Sequence, residues 1–169
     1  MNKKFFTFLI MGVAGSGKTT IAQKLSKKIN ASLIEGDDYH SKNNIAKMSN
    51  GIALNDEDRY DWLIKIKDEI LKRQKSQNLI VTCSALKEKY RSILEVKNYN
   101  LVYLKISKET ARKRIKSRKD HFMPDSLVES QFSILEEPKN SITLNETLKP
   151  DEIINKLMLI IKKNMLNYE

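Results

Sequence analysis

The chain has 169 residues and a formal net charge of +10, and 40% of its residues are hydrophobic. This length predicts one domain with its own core, which buries roughly 70% of the surface that the unfolded chain exposes. The single cysteine, Cys83, excludes an intrachain disulfide, and no run of residues is both long and uncharged enough to span a membrane. Nucleic acid, an acidic membrane surface and anionic substrates stay open as partners, although many of the lysines are spread along the chain.

Short runs of strand-forming residues alternate with longer stretches of helical spacing. The runs are FFTFLIM, ASLIE, NLIVTC, LVYLKI and SITLN. This alternation predicts an α/β fold, with a parallel sheet of about five strands and helices on both of its faces. The first run follows two lysines and imitates a secretory signal. Because cleavage after Ala14 would divide a glycine-rich loop, we interpret the run as the first buried strand.

Three helices have recognisable starts. The first is predicted to begin near Lys18, directly after the glycine-rich loop. Another has Asn55 as its N-cap, with three acids in its first turn, and the last begins near Pro150, which suits a first-turn position. The residues predicted to pack in the core from the second and third of these helices are Trp62, Ile66, Ile70, Ile153, Leu157, Ile160 and Ile161.

The glycine-rich loop GVAGSGKT, residues 12–19, fits the pattern G-x-x-x-x-G-K-[ST] between a strand and a helix. In that context backbone N–H groups and the positive end of the helix bind phosphates. We expect Lys18 to reach the β- and γ-phosphates of ATP and the Thr19 hydroxyl to bind Mg²⁺. The predicted nucleotide-binding residues are Gly12, Val13, Ala14, Gly15, Ser16, Gly17, Lys18, Thr19, Thr20 and, from a later segment, Arg114.

Acidic residues follow the second strand rather than the third. Glu35, Asp37 and Asp38 stand beside Gly36, which lets the backbone turn, whereas NLIVTCSA ends without an acid. The carboxyl ends of the strands border the ligand crevice in a doubly wound sheet, so these acids should lie near the phosphates. A carboxylate there orders Mg²⁺ through water or accepts a proton from an attacking hydroxyl, and the alternative role is that of a turn former or helix cap.

Arginine is scarce, with six residues against twenty-five lysines. Where arginine is kept, we expect a need for its planar, bidentate guanidinium group. Five of the six lie in or beside two polar segments, GDDYHSKNNIAKMSNG and RKRIKSRKDHFMP, which also hold both histidines, and Arg73 alone is predicted to lie on plain helix surface. Arg112, Arg114 and Arg118 are expected on a lid that closes over ATP, and the alternative is a solvated basic helix face.

The order of motifs resembles the gluconokinases, small P-loop kinases that phosphorylate D-gluconate on its 6-hydroxyl. The resemblance rests on GVAGSGKTT, GDDYH, NIAKMSNGIALNDEDRYDWL, CSALKEKYR and RKDHFMPDSLVESQFSILEEP, which cover almost the whole chain. It implies one P-loop kinase domain over residues 1–169, with a nucleoside-monophosphate-kinase-like core, an acceptor-binding segment at about 36–75 and a lid at about 112–126. It also implies Mg²⁺-dependent transfer from ATP, a cytoplasmic location and a homodimer.

By position, the resemblance assigns Asp37 to the acceptor hydroxyls, where it would orient or deprotonate the 6-hydroxyl. Its acceptor site would be lined by His40, Arg59, Lys87, Arg91 and Gln131, and Arg118 and His121 fall at lid positions, Arg118 as a catalytic residue and His121 as a substrate-binding one. A carboxylate suits arginine and a row of hydroxyls suits Asp, His and Gln, which fits gluconate. The chain departs from the family at Glu35, where Asp is common, and at Asp120, where the lid motif has Gly.

Two other functions stay open from the residues alone. The first keeps the fold and changes the acceptor to shikimate, another sugar acid or a nucleoside monophosphate, and the GDDYH and SALKEKYR motifs argue against it. The second is a basic ATP-binding module for nucleic acid. The segment RKRIKSRKD has no aromatic residue before Phe122 on which a base could stack, so we expect no nucleic-acid partner.

Overall fold

The computed structural model describes residues 5–117 and 124–166, and within them five strands form one parallel sheet. The order across the sheet is β2-β3-β1-β4-β5. This confirms the α/β fold and the five strands predicted from the apolar runs. The strands are β1 (Thr7–Met11), β2 (Ser32–Glu35), β3 (Leu79–Thr82), β4 (Tyr99–Lys105) and β5 (Ile142–Asn145).

Helices connect the strands, as a parallel sheet requires. A short 3₁₀ helix (Gly36–Tyr39) follows β2. The α-helices are α1 (Lys18–Ile29), α2 (Lys42–Ser49), α3 (Asp56–Arg73), α4 (Glu88–Leu94), α5 (Lys108–Lys116), α6 (Asp125–Ile134) and α7 (Pro150–Leu166). None of the helices in the described ranges is long and apolar enough to cross a membrane.

The two faces of the sheet each carry a separate apolar core. In β1, Leu9 and Met11 pack with α3 and α4, while Phe8 and Ile10 pack with α1 and α7. Successive side chains of a strand point to opposite faces, so a continuous apolar run such as FLIM needs cover on both sides. This is why β1 reads as an uninterrupted hydrophobic run in the sequence and lies at the centre of the sheet.

The predicted helix starts are confirmed. Helix α1 begins at Lys18, and Pro150 is the first residue of α7. Asn55 caps α3 with a reciprocal pair of hydrogen bonds, in which the side chains of Asn55 and Asp58 each accept from the other's backbone N–H. The core positions are confirmed with one difference on α7, where Ile154 is buried and Ile160 is only partly covered.

Strand β1 lies at the switch point of the topology. The chain continues from β1 to β2 and β3 on one side of the sheet, and then returns across β1 to β4 and β5 on the other. Connections therefore diverge at the carboxyl end of β1 and leave a crevice there, which is the usual ligand position in such sheets. The glycine-rich loop occupies this point.

Candidate active site

The glycine-rich loop runs from the end of β1 into α1. Gly12 has a φ of +151°, and a Cβ atom at that position would lie 2.9 Å from the carbonyl oxygen of Leu104 and 2.7 Å from Oγ of Ser16. A side chain at residue 12 would therefore collide with β4. The loop keeps glycine here because its backbone must pass directly against the neighbouring strand.

Lys18 lies across this loop. Its Nζ donates to the carbonyl oxygens of Gly12 at 3.0 Å and of Val13 at 3.1 Å. The ammonium group thus stays beside the loop backbone, at the place where phosphate oxygens would meet the N–H groups of α1's first turn. The loop presents a positive charge and a helix N-terminus to the same point.

Thr19 is linked to the acid at the end of β2. Its Oγ1 donates to Oε1 of Glu35 at 3.1 Å, and the Thr82 hydroxyl at the end of β3 donates to the same oxygen. The sequence predicted acids near the phosphates but did not say whether Glu35 or Asp37 contacts the phosphate loop. In the structure Glu35 pairs with Thr19, and Thr82 occupies the strand end where many P-loop proteins place an acid.

Gly36 serves a different purpose from the one that the sequence suggested. Its φ is not in the left-handed region, so no unusual turn requires glycine. A Cβ atom at this position would instead overlap the carbonyl oxygen of Thr82, while the Gly36 N–H donates to the Thr82 hydroxyl at 3.2 Å. Glycine is needed because β2 and β3 approach closely where they end.

A cavity of about 460 Å³ opens beside the glycine-rich loop. Its lining brings together one end of the loop and residues from α2, α3, α5, α6 and the β3–α4 connection. The polar lining residues are Lys18, Thr19, Thr20, Asp37, His40, Ser49, Arg59, Ser84, Ser130 and Gln131, and the apolar ones include Ile45, Met48, Leu54, Trp62, Ile115, Pro124 and Leu127. A concave pocket in which polar groups converge beside an apolar wall is typical of a small-molecule site, and the large share of polar residues here suits a polar ligand.

His40 stands on the wall of this cavity with its ring stacked on Trp62, at a centroid separation of 4.1 Å and an interplanar angle of 17°. Trp62 is held in turn by a 2.7 Å hydrogen bond from its indole N–H to the Gly36 carbonyl. Burial lowers the pKa of His40, and Arg59 lowers it further, while the Asp37 carboxylate partly opposes both. The Nδ1 atom of His40 is buried and has no hydrogen-bond partner among the described residues.

Arg59 is the buried cation of the cavity, with only 9% of its surface exposed. Its Nη1 donates to the Leu54 carbonyl and lies 3.5 Å from the Tyr90 hydroxyl, and its guanidinium carbon is 5.6 Å from the centre of the Tyr90 ring. The Tyr90 hydroxyl donates to Asp56. This chain of contacts fixes the position of the guanidinium group, and Arg59 also lines the cavity.

Lys87 and Arg91, which the resemblance placed in the acceptor site, are not among the described residues that line the cavity directly. Lys87 Nζ pairs with Asp56 at 2.8 Å, and hydrogen bonds from Lys87, Lys89 and Tyr90 lower the pKa of that carboxyl. Arg91 is 4% exposed, and its Nη1 donates to the carbonyl oxygens of Ala85 and Leu86 at 2.9 and 3.1 Å.

Within the described residues, the predicted lid segment comprises the end of α5 and the start of α6. Gln131 Oε1 accepts a hydrogen bond from the Ala14 N–H at 2.7 Å, and Arg114 Nη1 donates to the Gly15 carbonyl at 3.3 Å, so both residues contact the glycine-rich loop directly. Arg112 faces away and pairs with Asp125, at 2.9 Å, and with Glu129, which joins α5 to α6. Arg118, Asp120 and His121 lie outside the described residues.

Sequence reasoning missed several contributors to the site besides Ser49 and Ser130 on the cavity wall. Ser84 lines the cavity, Thr82 shares Glu35 with Thr19, and Glu136 contacts the β3–α4 connection through its backbone and side chain. The SALK and LEEP motifs were visible in the sequence, but their contact joins residues about fifty positions apart. No local pattern predicts such a contact.

Comparison with known proteins matches a shikimate kinase family model and, among individual relatives, gluconokinases. A family model described as shikimate kinase matches residues 14–162. A probable gluconokinase of Schizosaccharomyces pombe is 43% identical over an alignment of 153 positions, and the alignment covers 83% of this chain and 79% of the relative. The thermosensitive gluconokinase of Escherichia coli is 42% identical over 136 residues, covering 79% of this chain and 73% of the relative. The crystal structure of a gluconokinase from Sinorhizobium meliloti superposes with a TM-score of 0.86 at 31% identity and covers 98% and 97% of the two chains.

Proposed function

The chain belongs to the gluconokinase family of P-loop kinases, and from that membership we propose that it transfers the γ-phosphoryl group of ATP to the 6-hydroxyl of D-gluconate. The product is 6-phospho-D-gluconate. The observation that carries this proposal is a cavity in which the phosphate-binding loop meets Asp37, His40 and Arg59. Such an arrangement holds a phosphoryl donor and a polyhydroxy acid in contact.

On the nucleotide side, the backbone of residues 12–20 would bind the phosphates, with Lys18 beside the β- and γ-phosphates and Arg114 reaching the loop from α5. The hard oxygen donors at Thr19 and Glu35 fit Mg²⁺, with Thr19 as the direct ligand and Glu35 ordering its water. When bound, Mg²⁺ would neutralise charge on the phosphates.

On the acceptor side, Asp37 would orient the 6-hydroxyl and accept its proton as the oxygen attacks the γ-phosphorus and the bond to ADP breaks. Neutral His40, on the cavity wall, would hydrogen-bond another hydroxyl through a ring nitrogen, and Arg59 would bind the carboxylate. Gln131 would close the site above the phosphate loop. Arg118 and His121 are carried over from the resemblance as lid residues that complete it.

The acceptor assay measures ADP release from Mg-ATP with D-gluconate, shikimate, glycerate or a nucleoside monophosphate as the candidate acceptor. Shikimate is included because the matching family model bears that name. We expect gluconate alone to stimulate ADP release strongly, with 6-phosphogluconate detected by mass spectrometry. Stimulation by another acceptor would leave the assignment of the phosphate site intact and refute gluconate as the acceptor.

The proposal also covers the oligomeric state, the location and the partners of the enzyme. From the resemblance we expect a cytoplasmic homodimer without a nucleic-acid partner, and light scattering on the purified protein measures the oligomeric state. Single-stranded RNA serves as a further additive in the ADP assay. Nucleic-acid binding weakens steeply between low and physiological salt, whereas we expect turnover of gluconate to fall only mildly.

A further inference from the structure

The connection between β3 and α4 contains a residue in an unfavourable backbone conformation. Ala85 has a φ of +45°, in the left-handed region, and is completely buried. Left-handed backbone is costly for residues with a Cβ atom, and it persists only where surrounding contacts enforce it. The preceding residue, Ser84, lines the cavity. The strained turn therefore lies directly behind a wall of the proposed acceptor site.

Arg91 supplies one of the contacts that enforce the turn. Its Nη1 donates to the carbonyl oxygens of Ala85 and Leu86, at 2.9 and 3.1 Å. Its Nε and Nη2 donate to Oε2 of Glu88, at 3.1 and 2.6 Å. With its guanidinium group committed to four hydrogen bonds and only 4% of the residue exposed, Arg91 faces the backbone of the turn.

A second clamp comes from the segment after α6. The Glu136 N–H donates to the Leu86 carbonyl at 2.9 Å, and Oε2 of Glu136 accepts from the Glu88 N–H at 2.7 Å. The turn is thus held from both sides, by Arg91 within the SALKEKYR motif and by Glu136 within the LEEP motif. Nucleotide binding does not explain these two motifs, whereas their contacts show that both stabilise the turn.

We propose that Arg91 is a positioning residue: it holds the left-handed turn at Ala85 and thereby fixes the Ser84 hydroxyl on the wall of the acceptor cavity. The inference rests on the proposed function for its acceptor. Ser84 then contacts a hydroxyl of the sugar acid, and the carboxylate is left to Arg59. A lysine at position 91 cannot replace the planar guanidinium group, because one ammonium group cannot bind two carbonyl oxygens and a carboxylate at these fixed positions.

The test compares Arg91→Lys, Ala85→Gly and the double variant, with Arg73→Lys as the matched control in which an ion-paired arginine lies outside the cavity. Arg91→Lys should lower kcat/KM for gluconate about tenfold, chiefly through KM, and leave the KM for Mg-ATP within about twofold. Glycine adopts the left-handed turn without the steric cost, so Ala85→Gly should restore most of the loss in the double variant. A direct ligand of the acceptor would show no such rescue, and that result would overturn the proposal.

Two further measurements separate this proposal from the proposed function. Ser84→Ala should raise the gluconate KM several-fold, by about the value of one lost hydrogen bond, without lowering the Tm. Hydrogen exchange needs no turnover, and residues 85–88 should exchange faster in Arg91→Lys than in the parent. Unchanged exchange, or an unchanged gluconate KM in Ser84→Ala, would overturn the positioning role. A parent that does not phosphorylate gluconate would refute the proposed function, while exchange would still decide whether Arg91 holds the turn.

Discussion

The two sides of the cavity are built in different ways. The phosphate side is one contiguous loop, residues 12–19, in which Gly12, Gly15 and Gly17 supply the left-handed backbone. The acceptor side is assembled from α2, α3, α6 and the β3–α4 connection, and its left-handed residue is an alanine held by a buried arginine. Glycine adopts such a conformation by itself, whereas alanine needs partners from other segments. One side is therefore specified locally and the other by tertiary contacts.

The largest expected effect tests whether the acceptor side holds the catalytic acid. Asp37→Asn removes the proton acceptor, so we expect kcat for gluconate to fall about a hundred- to ten-thousandfold with the fold intact. Asp38→Asn is the matched control, because Asp38 does not line the cavity, and it should keep kcat within about threefold. Steady-state kinetics and circular dichroism measure both. Near-parental activity of a folded Asp37→Asn protein would remove Asp37 from its assigned role.

The equivalent test on the phosphate side is Lys18→Ala. Loss of the charge beside the transferred phosphoryl group should lower kcat about a hundred- to a thousandfold. The exposed Lys72 on α3 offers the control Lys72→Ala, which should leave turnover unchanged. Comparison of the two proteins by ADP release separates a specific phosphate contact from a general effect of lysine removal. Equal activities would show that the loop does not use Lys18.

Opposite glycine and alanine exchanges compare the two sides directly. Gly12→Ala should lower the free energy of unfolding by about 1–3 kcal/mol, because the new Cβ meets the Leu104 carbonyl and Ser16. Ala85→Gly should change it by less than about 1 kcal/mol, because relief of the left-handed strain offsets the greater flexibility of the unfolded chain. Urea denaturation measures both. If Gly12→Ala were neutral, the loop would not need a bare backbone at that position.

This contrast also explains how far the sequence could predict the molecule. The apolar runs and the Asn55 cap predicted the sheet and the start of α3, because periodicity and capping act within a few residues. The phosphate loop was predictable for the same reason. The packing of Arg91 against the Ala85 turn was not, since its sequence motif is equally compatible with a ligand-binding arginine. Gly36 was predicted to be a turn residue, but glycine is needed there because the end of a strand 46 residues away approaches its backbone closely.

A smaller effect concerns the pH dependence of the acceptor side. Burial lowers the pKa of His40 below its usual 6.5. Below pH 6.5 the unfolded chain binds a proton that folded His40 resists, so the free energy of unfolding should decrease as the pH falls through this window. Above this pH window, His40 is neutral in both the folded and the unfolded state, so it does not make the free energy of unfolding depend on pH.

His40→Gln isolates this contribution, because glutamine does not titrate. The parent should lose more stability than the variant between pH 7 and pH 5.5, by at most about 1.4 kcal/mol per pH unit. Folded His40 stays neutral until the pH falls to its lowered pKa, so the parent's gluconate KM should rise only below that point, where the protonated imidazole can no longer accept a hydrogen bond from a hydroxyl. Parallel stability curves for the two proteins would mean that burial does not hold His40 neutral.

The smallest effect is expected where an arginine belongs to neither side of the cavity. The sequence placed Arg73 on plain helix surface, and the structure corrects this: the side chain is partly buried, pairs with Glu69 and donates to the Ser32 hydroxyl at 3.3 Å. Arg73→Lys keeps the charge for the i,i+4 pair and loses a long hydrogen bond, so the free energy of unfolding should fall by no more than about 0.5 kcal/mol. Gluconate kinetics should not change. If Arg73→Lys lowered kcat/KM for gluconate as much as Arg91→Lys does, the contrast between a positioning arginine and an ordinary one would fail.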